Sequence, residues 1–239
     1  MTVKKKKKLY EGKSKTLYET EHAEHLVLSF RDEPPGGNGV KAGVIANKGV
    51  INNQVSAVLF RFLESYNIPT HFVAAAGKDG MVIRHLEMVP LMLVVHNVAT
   101  VALAKQLAVK EGTALEKTVM EYHFKDAARS SPAGSTNDLL SAGIVRADEL
   151  RQINRLATKV NVVLAAFFKR RELILQNLKL EFGRYRNRLL LGDELSLDTC
   201  SLAEAKTGER LTPPRHRSDP ATIEKLYQEL GQRLLAASA

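Results

Sequence analysis

The sequence predicts an α+β fold that opens on antiparallel strands and continues as mixed α and β. Three observations carry this. The first third alternates apolar and polar residues in short runs separated by Gly/Pro turns. Asp148 to Lys169 steps its apolar residues by three and four, the period of a helix. Leu178 to Glu194 alternates again and folds back about a Gly, Tyr, Asn and Arg turn, which reads as a hairpin. With 239 residues, 44% of them hydrophobic, the chain can bury a core of its own.

Taken in order, Leu9 to Thr20 (LYEGKSKTLYET) reads as two strands joined through Gly12, and Leu26 to Arg31 as a third. Gly12-Lys13-Ser14 is similar to the end of a Walker A loop. The first glycine of that motif would fall at position 7, which is Lys7, and the context is strand–turn–strand, so that loop is excluded. A Gly-turn with Lys13 and Lys15 between strands can still cover phosphates. Asp32 to Gly39 is a Pro/Gly turn region. Lys48-Gly49 precedes a helix with Val55, Val58, Leu59 and Phe62 on its apolar face, ended by Asn67 and Pro69. Ile68 to Ala76 and Met81 to Met88 read as strands around Gly77-Lys78-Asp79-Gly80. Pro90 breaks the pattern, and the LMLVVHNVA run after it is a buried strand. Val101 to Val109 is helical, Gly112-Thr113 a turn, and Ala127 to Asn137 a polar loop. The helix from Asp148 to Lys169 buries Leu150, Ile153, Ala157, Val160, Leu164 and Phe167. A last helix opens at Pro220, with Ile223, Leu226, Tyr227, Leu230 and Leu234 on one face.

Composition narrows the function classes. No apolar run approaches the roughly 20 residues of a membrane span, and the charged N-terminus lacks the apolar core of a secretory signal. The single cysteine, Cys200, permits no internal disulfide, which fits a reducing, cytoplasmic setting; the residue reads as packed rather than nucleophilic. A net charge of +9 favours anionic partners. Part of it is the lysine run Lys4 to Lys8, read as a solvated tail. Arginines without interleaved aromatics make nucleic acid a minor reading. The seven histidines show no metal-ligand spacing.

The chemistry concentrates in KLEFGRYRNRLLLGDELSLDTC, Lys179 to Cys200. A hairpin symmetric about Asn187 places Glu181 opposite Asp193, with Cβ atoms about 5 Å apart. Two carboxylates that close repel and call for a cation. Magnesium suits them, as a hard ion held by one or two carboxylates and a nucleotide's phosphates. Lys179 shares their face and can reach a substrate oxygen. Spacing alone leaves open a solvated hairpin with charges on its outer face.

Seven blocks occur in order over nearly the whole chain: LYEGKSKTLYET, KGVINNQVS, IPTHF, VVHNVA with LAKQL, EGTAL, LKLEFGR and GDELSLDTC. Together they resemble the phosphoribosylaminoimidazole-succinocarboxamide synthase (SAICAR synthetase) family. The resemblance implies a two-part α+β fold similar to the ATP-grasp and kinase arrangement: a small antiparallel, nucleotide-covering domain at residues 1–88 over a larger domain at 89–239, with ATP in the cleft. It implies amide formation between carboxyaminoimidazole ribonucleotide and L-aspartate, driven by ATP and magnesium, and a possible homodimer. Lys13 and Lys15 match the family's phosphate-facing lysines. Glu181 and Asp193 match its metal and ATP carboxylates. Leu17, Leu26 and Met88 match the walls around adenine, with ordinary core packing as the other reading. Lys179, Asp198, Lys125, Arg215 and Arg217 match positions near the substrates. Lys13, Lys179 and Asp193 are the expected catalytic residues.

The chain departs from the family pattern on the acceptor side. The family usually has Arg at His96, Gly-Ser at Val101-Ala102, Arg at Ser201, Asp at Asn177, Lys-Asp at Pro213-Pro214, Glu at Met92, and acidic residues at Ala127 and Ser131. In the family the Arg and Ser positions hold the ribonucleotide phosphate, and a protonated His96 can hold a phosphate near neutral pH; the sequence leaves open whether His96 and Ser201 form such a pocket with Arg215 and Arg217. A paralogue that uses another carboxylate, or that binds nucleotide without catalysis, is the alternative expectation.

Overall fold

The structure is a computed structural model describing residues 3–12, 14–33, 44–125, 132–133, 136–211 and 219–236. Its first sheet contains β1 (Lys8–Glu11), β2 (Lys15–Glu19), β3 (His25–Phe30), β4 (Phe72–Ala75) and β5 (Gly80–Arg84), in the order β1-β2-β3-β5-β4. The second contains β6 (Glu87–Val98), β7 (Ala114–Phe124), β8 (Pro132–Ala133), β9 (Leu173–Tyr185) and β10 (Arg188–Gly192), in the order β10-β9-β6-β7-β8; β11 (Cys200–Glu204) also pairs with β9. Every pairing within the two sheets is antiparallel. The helices are α1 (Lys48–Ser65), α2 (Val101–Leu107), α3 (Thr136–Ser141), α4 (Ala147–Lys169) and α5 (Pro220–Leu235). None among the described residues is long and apolar enough to cross a membrane.

The helices form where their apolar stripes and caps place them. On α4, Leu150, Ile153, Ala157, Val160, Leu164 and Phe167 are all buried, and the helix packs on β9. Asp148 and Glu149 in its first turn and Lys169 in its last suit the helix dipole. Asp219 caps α5 by accepting from Thr222 N–H at 3.0 Å, and Pro220 opens the helix. Helix α5 approaches α1 so closely that a Cβ on Gly231 would lie 2.7 Å from Ile51 Cγ2. The start of α1 is buried although polar: Lys48, Asn52, Asn53 and Ser56 all face inward. That helix begins at Lys48 itself, so the Lys48-Gly49 pair opens it rather than precedes it.

Other expectations need correction. Pro90 does not break the chain's extended path, because β6 runs through it from Glu87 to Val98. The β6–β9 register shifts between Met88 and Met92, so the missing proline N–H falls where that pairing lapses. The expected strand from Met81 to Met88 is therefore two pieces, the second belonging to β6 of the other sheet. Strand β7 was not expected at all. The lysine run is only partly a tail: Lys6 N–H donates to Glu19 O at 2.8 Å and Glu19 N–H to Lys7 O at 2.9 Å, extending the β1–β2 pairing. Exposed lysines on that edge discourage pairing with another chain.

The two sheets are stitched together beside β10. Thr70 forms a parallel bridge with Leu191, His71 N–H donates to Leu191 O at 2.9 Å, and Leu191 N–H to Pro69 O at 3.0 Å. Close by, Leu86 and Met88 lie against the β9–β10 hairpin where it carries no side chain. A Cβ on Gly183 would come within 2.7 Å of Leu86 Cβ and 3.0 Å of Met88 Sδ. Neither glycine of this pair, Gly183 or Gly192, has a positive φ, so contact rather than backbone freedom requires them. Gly183→Ala is expected to displace Leu86 and Met88 and lower stability by about 1–3 kcal/mol, read as a lower urea midpoint at unchanged m-value.

Candidate active site

Two clefts open on either side of Lys179–Glu181. The first, of about 300 Å³, has apolar walls from Leu17, Leu28, Ile83, Leu86 and Met88 and a charged end formed by Lys15, Lys125, Glu181 and Asp193. The second, of about 310 Å³, includes His96, Glu121, Asn177, Lys179, Asp198 and Ser201 in its lining. Lys179 and Glu181 are two residues apart on β9, so they share a face and the clefts adjoin along the strand.

The hairpin reaches this arrangement by a register other than the expected one. It turns on Arg186-Asn187, both with positive φ (47° and 61°), a two-residue type I′ turn. Glu181 therefore pairs with Gly192, and Asp193 lies one residue beyond the strand. Asp193 itself is left-handed at φ 59°. In a straight strand its side chain and that of Glu194 would point to opposite faces. The left-handed turn lets both reach Lys15, whose Nζ donates to Asp193 Oδ1 and, at 3.0 Å, to Glu194 Oε1.

The electrostatics follow from this crowding. Burial alone would push the Lys15 ammonium down, but Glu194 first and then Asp193 outweigh it, and the group sits above the usual lysine range. Burial, followed by the charge of Asp193, holds the Glu181 carboxyl above the usual carboxylate range, although Lys125 opposes the shift. Lys125 Nζ donates to Glu181 Oε2 at 2.6 Å. Each cleft carboxylate is thus neutralised by one lysine. Burial pushes His71 down to about 3, with Lys15 adding to the effect, so the ring is neutral while it donates to the Asp193 backbone.

In the second cleft, Glu121 bridges two histidines, at 3.1 Å from His96 Nε2 and 3.1 Å from His123 Nε2. Asp198 is held by three donors: Lys48 Nζ, Asn52 Nδ2 at 2.9 Å and the Tyr227 hydroxyl. Lys48 is fully buried, an ammonium stable there only with such a partner. Burial and Asp198 hold the Tyr227 phenol well above its usual range, so it remains a donor. Burial pushes the Cys200 thiol up to about 12, in keeping with a packed residue rather than a nucleophile.

Of the residues singled out in the sequence, Lys15, Leu17, Met88, Lys125, Glu181 and Asp193 line the first cleft, and His96, Lys179 and Asp198 the second. Lys125 therefore sits with the cleft carboxylates rather than in the second cleft. Leu26 lies in the core, and its neighbour Leu28 forms the wall instead. Lys13, Arg215 and Arg217 lie outside the described residues, as do Ala127, Ser131, Pro213 and Pro214. Sequence reasoning missed Glu194, His71, Lys48, Glu121 and Tyr227 as site residues. Glu194 carried the one available signal, its place beside Asp193 in GDEL.

The fold is thus α+β, with an apolar-walled cleft that ends in paired lysines and carboxylates and draws its lining from both antiparallel sheets. A family model for SAICAR synthetase matches residues 8–234. The phosphoribosylaminoimidazole-succinocarboxamide synthase of Clostridium kluyveri is 35% identical over 232 residues, covering 97% of this chain and 99% of the relative. That of Gluconobacter oxydans is 38% identical over 234 residues, covering 96% and 92%. The crystal structure of the Ehrlichia chaffeensis synthase superposes with a TM-score of 0.88 at 31% identity, covering 97% of this chain and 99% of that one. A SAICAR synthetase in complex with ADP gives 0.86 at 31%, covering 95% and 97%. The chain belongs to the SAICAR synthetase family.

The depressed His71 value carries a stability consequence. Between about pH 3 and 6.5 the unfolded chain binds a proton here that the folded chain does not, so stability falls as pH falls through that window. Between pH 7 and 5 the loss is about 2 kcal/mol. His71→Gln should flatten the pH dependence of the urea-unfolding free energy by that amount; an unchanged slope would contradict a buried neutral imidazole.

Proposed function

We propose that the chain is an ATP-dependent ligase of de novo purine biosynthesis that joins carboxyaminoimidazole ribonucleotide to L-aspartate, giving SAICAR, ADP and phosphate. The observation that carries this reading is the meeting of two clefts at Lys179–Glu181, with lysine–carboxylate pairs at the seam. A carboxylate is a poor electrophile toward an amine. Its oxygen attacks the γ-phosphorus of ATP, the bond to the β-phosphate breaks, and ADP leaves. The resulting acyl phosphate is attacked by the aspartate amine, and phosphate departs. Such chemistry needs positioning and charge neutralisation more than a protein nucleophile.

The residues take these tasks by position. Leu17, Leu28, Ile83, Leu86 and Met88 hold the adenine, and Lys15 and Lys125 face its phosphates, with Lys13 assigned beside them from the sequence. Lys179 and Asp198 hold the acceptor carboxylate and the amine, and His96 the ribonucleotide phosphate, with Arg215 and Arg217 assigned beside it from the sequence. Magnesium fits the donor set: Glu181 and Asp193 offer only oxygens, and burial with like charge raises Glu181 as two carboxylates awaiting a cation would require. When bound it would neutralise phosphate charge between Glu181 and Asp193. Small-molecule substrates and a cytoplasmic setting accompany this reading.

The test is ADP formation from Mg-ATP with both substrates. ADP should depend on both, and Asp193→Asn should lower the rate on the order of 100-fold, the scale of losing one preorganised electrostatic group. No ADP with any substrate pair would overturn the reading. The raised Glu181 value adds a second expectation. A carboxyl raised on folding costs stability when ionised, and the cost grows as pH rises above the unfolded value. Glu181→Gln should therefore raise the metal-free melting temperature at pH 7 by about 2 °C or more while abolishing activity; a lowered melting temperature would contradict the assignment.

A further inference from the structure

We infer that Glu194 is the positioning residue that holds Lys15 at the phosphate end of the nucleotide cleft, which leaves the neighbouring Asp193 carboxylate to face the cation. The inference rests on the nucleotide reading of that cleft and assigns a residue outside it. Asp193 lines the cleft; Glu194 does not. The side chain of Glu194 is 4% exposed against 23% for Asp193, so it cannot be a ligand to anything in the cleft as it stands. Its carboxylate is fully engaged within the protein. Oε1 accepts from Lys15 Nζ at 3.0 Å and from Ser14 Oγ at 3.2 Å, and Oε2 accepts from Ser196 Oγ at 2.5 Å.

The partition between the two acids has a physical basis. Lys15 cannot be held by Asp193 alone if that carboxylate is to serve a metal ion, because the two cations would compete for it. A second, buried carboxylate keeps the ammonium charged and in place whichever way Asp193 turns. Glu194 meets Lys15 from inside the protein at 3.0 Å, where there is less solvent to screen the pair than at Asp193. Ser14 immediately precedes β2, so the same carboxylate also anchors the residue beside Lys15 in the chain.

The test is the acylation rate of Lys15 by an amine-selective reagent, resolved by mass spectrometry in the metal-free, nucleotide-free chain. Exposed Lys105 is the reference and buried Lys48 the monitor of the fold. Glu194→Gln, which removes the buried charge that holds the Lys15 ammonium at 3.0 Å, should raise Lys15 labelling severalfold while Lys48 stays unlabelled, and should weaken ADP binding in the same direction. Glu194→Asp, which keeps the charge but draws it back, should fall between. A Lys15 rate equal to wild type in Glu194→Gln overturns the inference. So does a rise in Lys15 matched by Lys48, which marks a merely structural role. If the Gln variant does not fold, the Asp variant decides by the same two criteria. Labelling requires no turnover, so its failure is separable from a failure of the ligase reading.

Discussion

The structure depends on one ammonium group. Lys15 leaves the first sheet and meets Asp193 and Glu194 just beyond the last strand of the hairpin in the second. Without it, three carboxylates would crowd one end of a cleft in partial burial. With it, and with Lys125 on Glu181, each of the three carboxylates has an ammonium partner in the unliganded chain, Asp193 and Glu194 sharing one. The same geometry can exchange partners. A nucleotide's phosphates attract the lysines, and a divalent cation attracts the carboxylates. Backbone links at Pro69, His71 and Leu191 hold the sheets at this distance, and the Asp193 turn aims the carboxylates.

The second cleft is built on a different balance. Asp198 is saturated by Lys48, Asn52 and Tyr227, which ties α1 and α5 to the loop between β10 and β11. Removing one partner of such a buried pair costs about 3–5 kcal/mol in other proteins, so this network holds the cleft's wall as well as its chemistry. Where the family pattern has arginine, His96 gives its Nε2 to Glu121, which also takes His123. The wall of the second cleft is thus built around these three side chains.

Much of this was legible in the sequence, for reasons that differ by element. The stripes on α4 and α5 read clearly because one face of each is buried. Strands β2 and β3 and the hairpin read clearly from alternation. Strand β7 did not: of ALEKTVMEYHF only Tyr122 is fully buried, so no apolar face shows. Pro90 misled because its strand lapses in pairing at that point, which no local rule reveals. The hairpin register slipped by one because a type I′ turn on Arg-Asn lacks the usual glycine. Among site residues, Glu181, Asp193 and Lys15 stood out by charge and by resemblance. Lys48, His71 and Glu194 did not, since a polar residue becomes informative only once packing shows that it is buried.

The proposed function turns on Glu181 and Asp193 holding a metal ion beside the nucleotide. Calorimetric titration of ADP with and without Mg²⁺ measures this most directly. The account predicts binding at least about tenfold tighter with the ion, a difference of about 1.4 kcal/mol, and loss of that difference in Asp193→Asn. Equal affinity with and without Mg²⁺ would contradict it and leave the carboxylates as partners of the lysines alone.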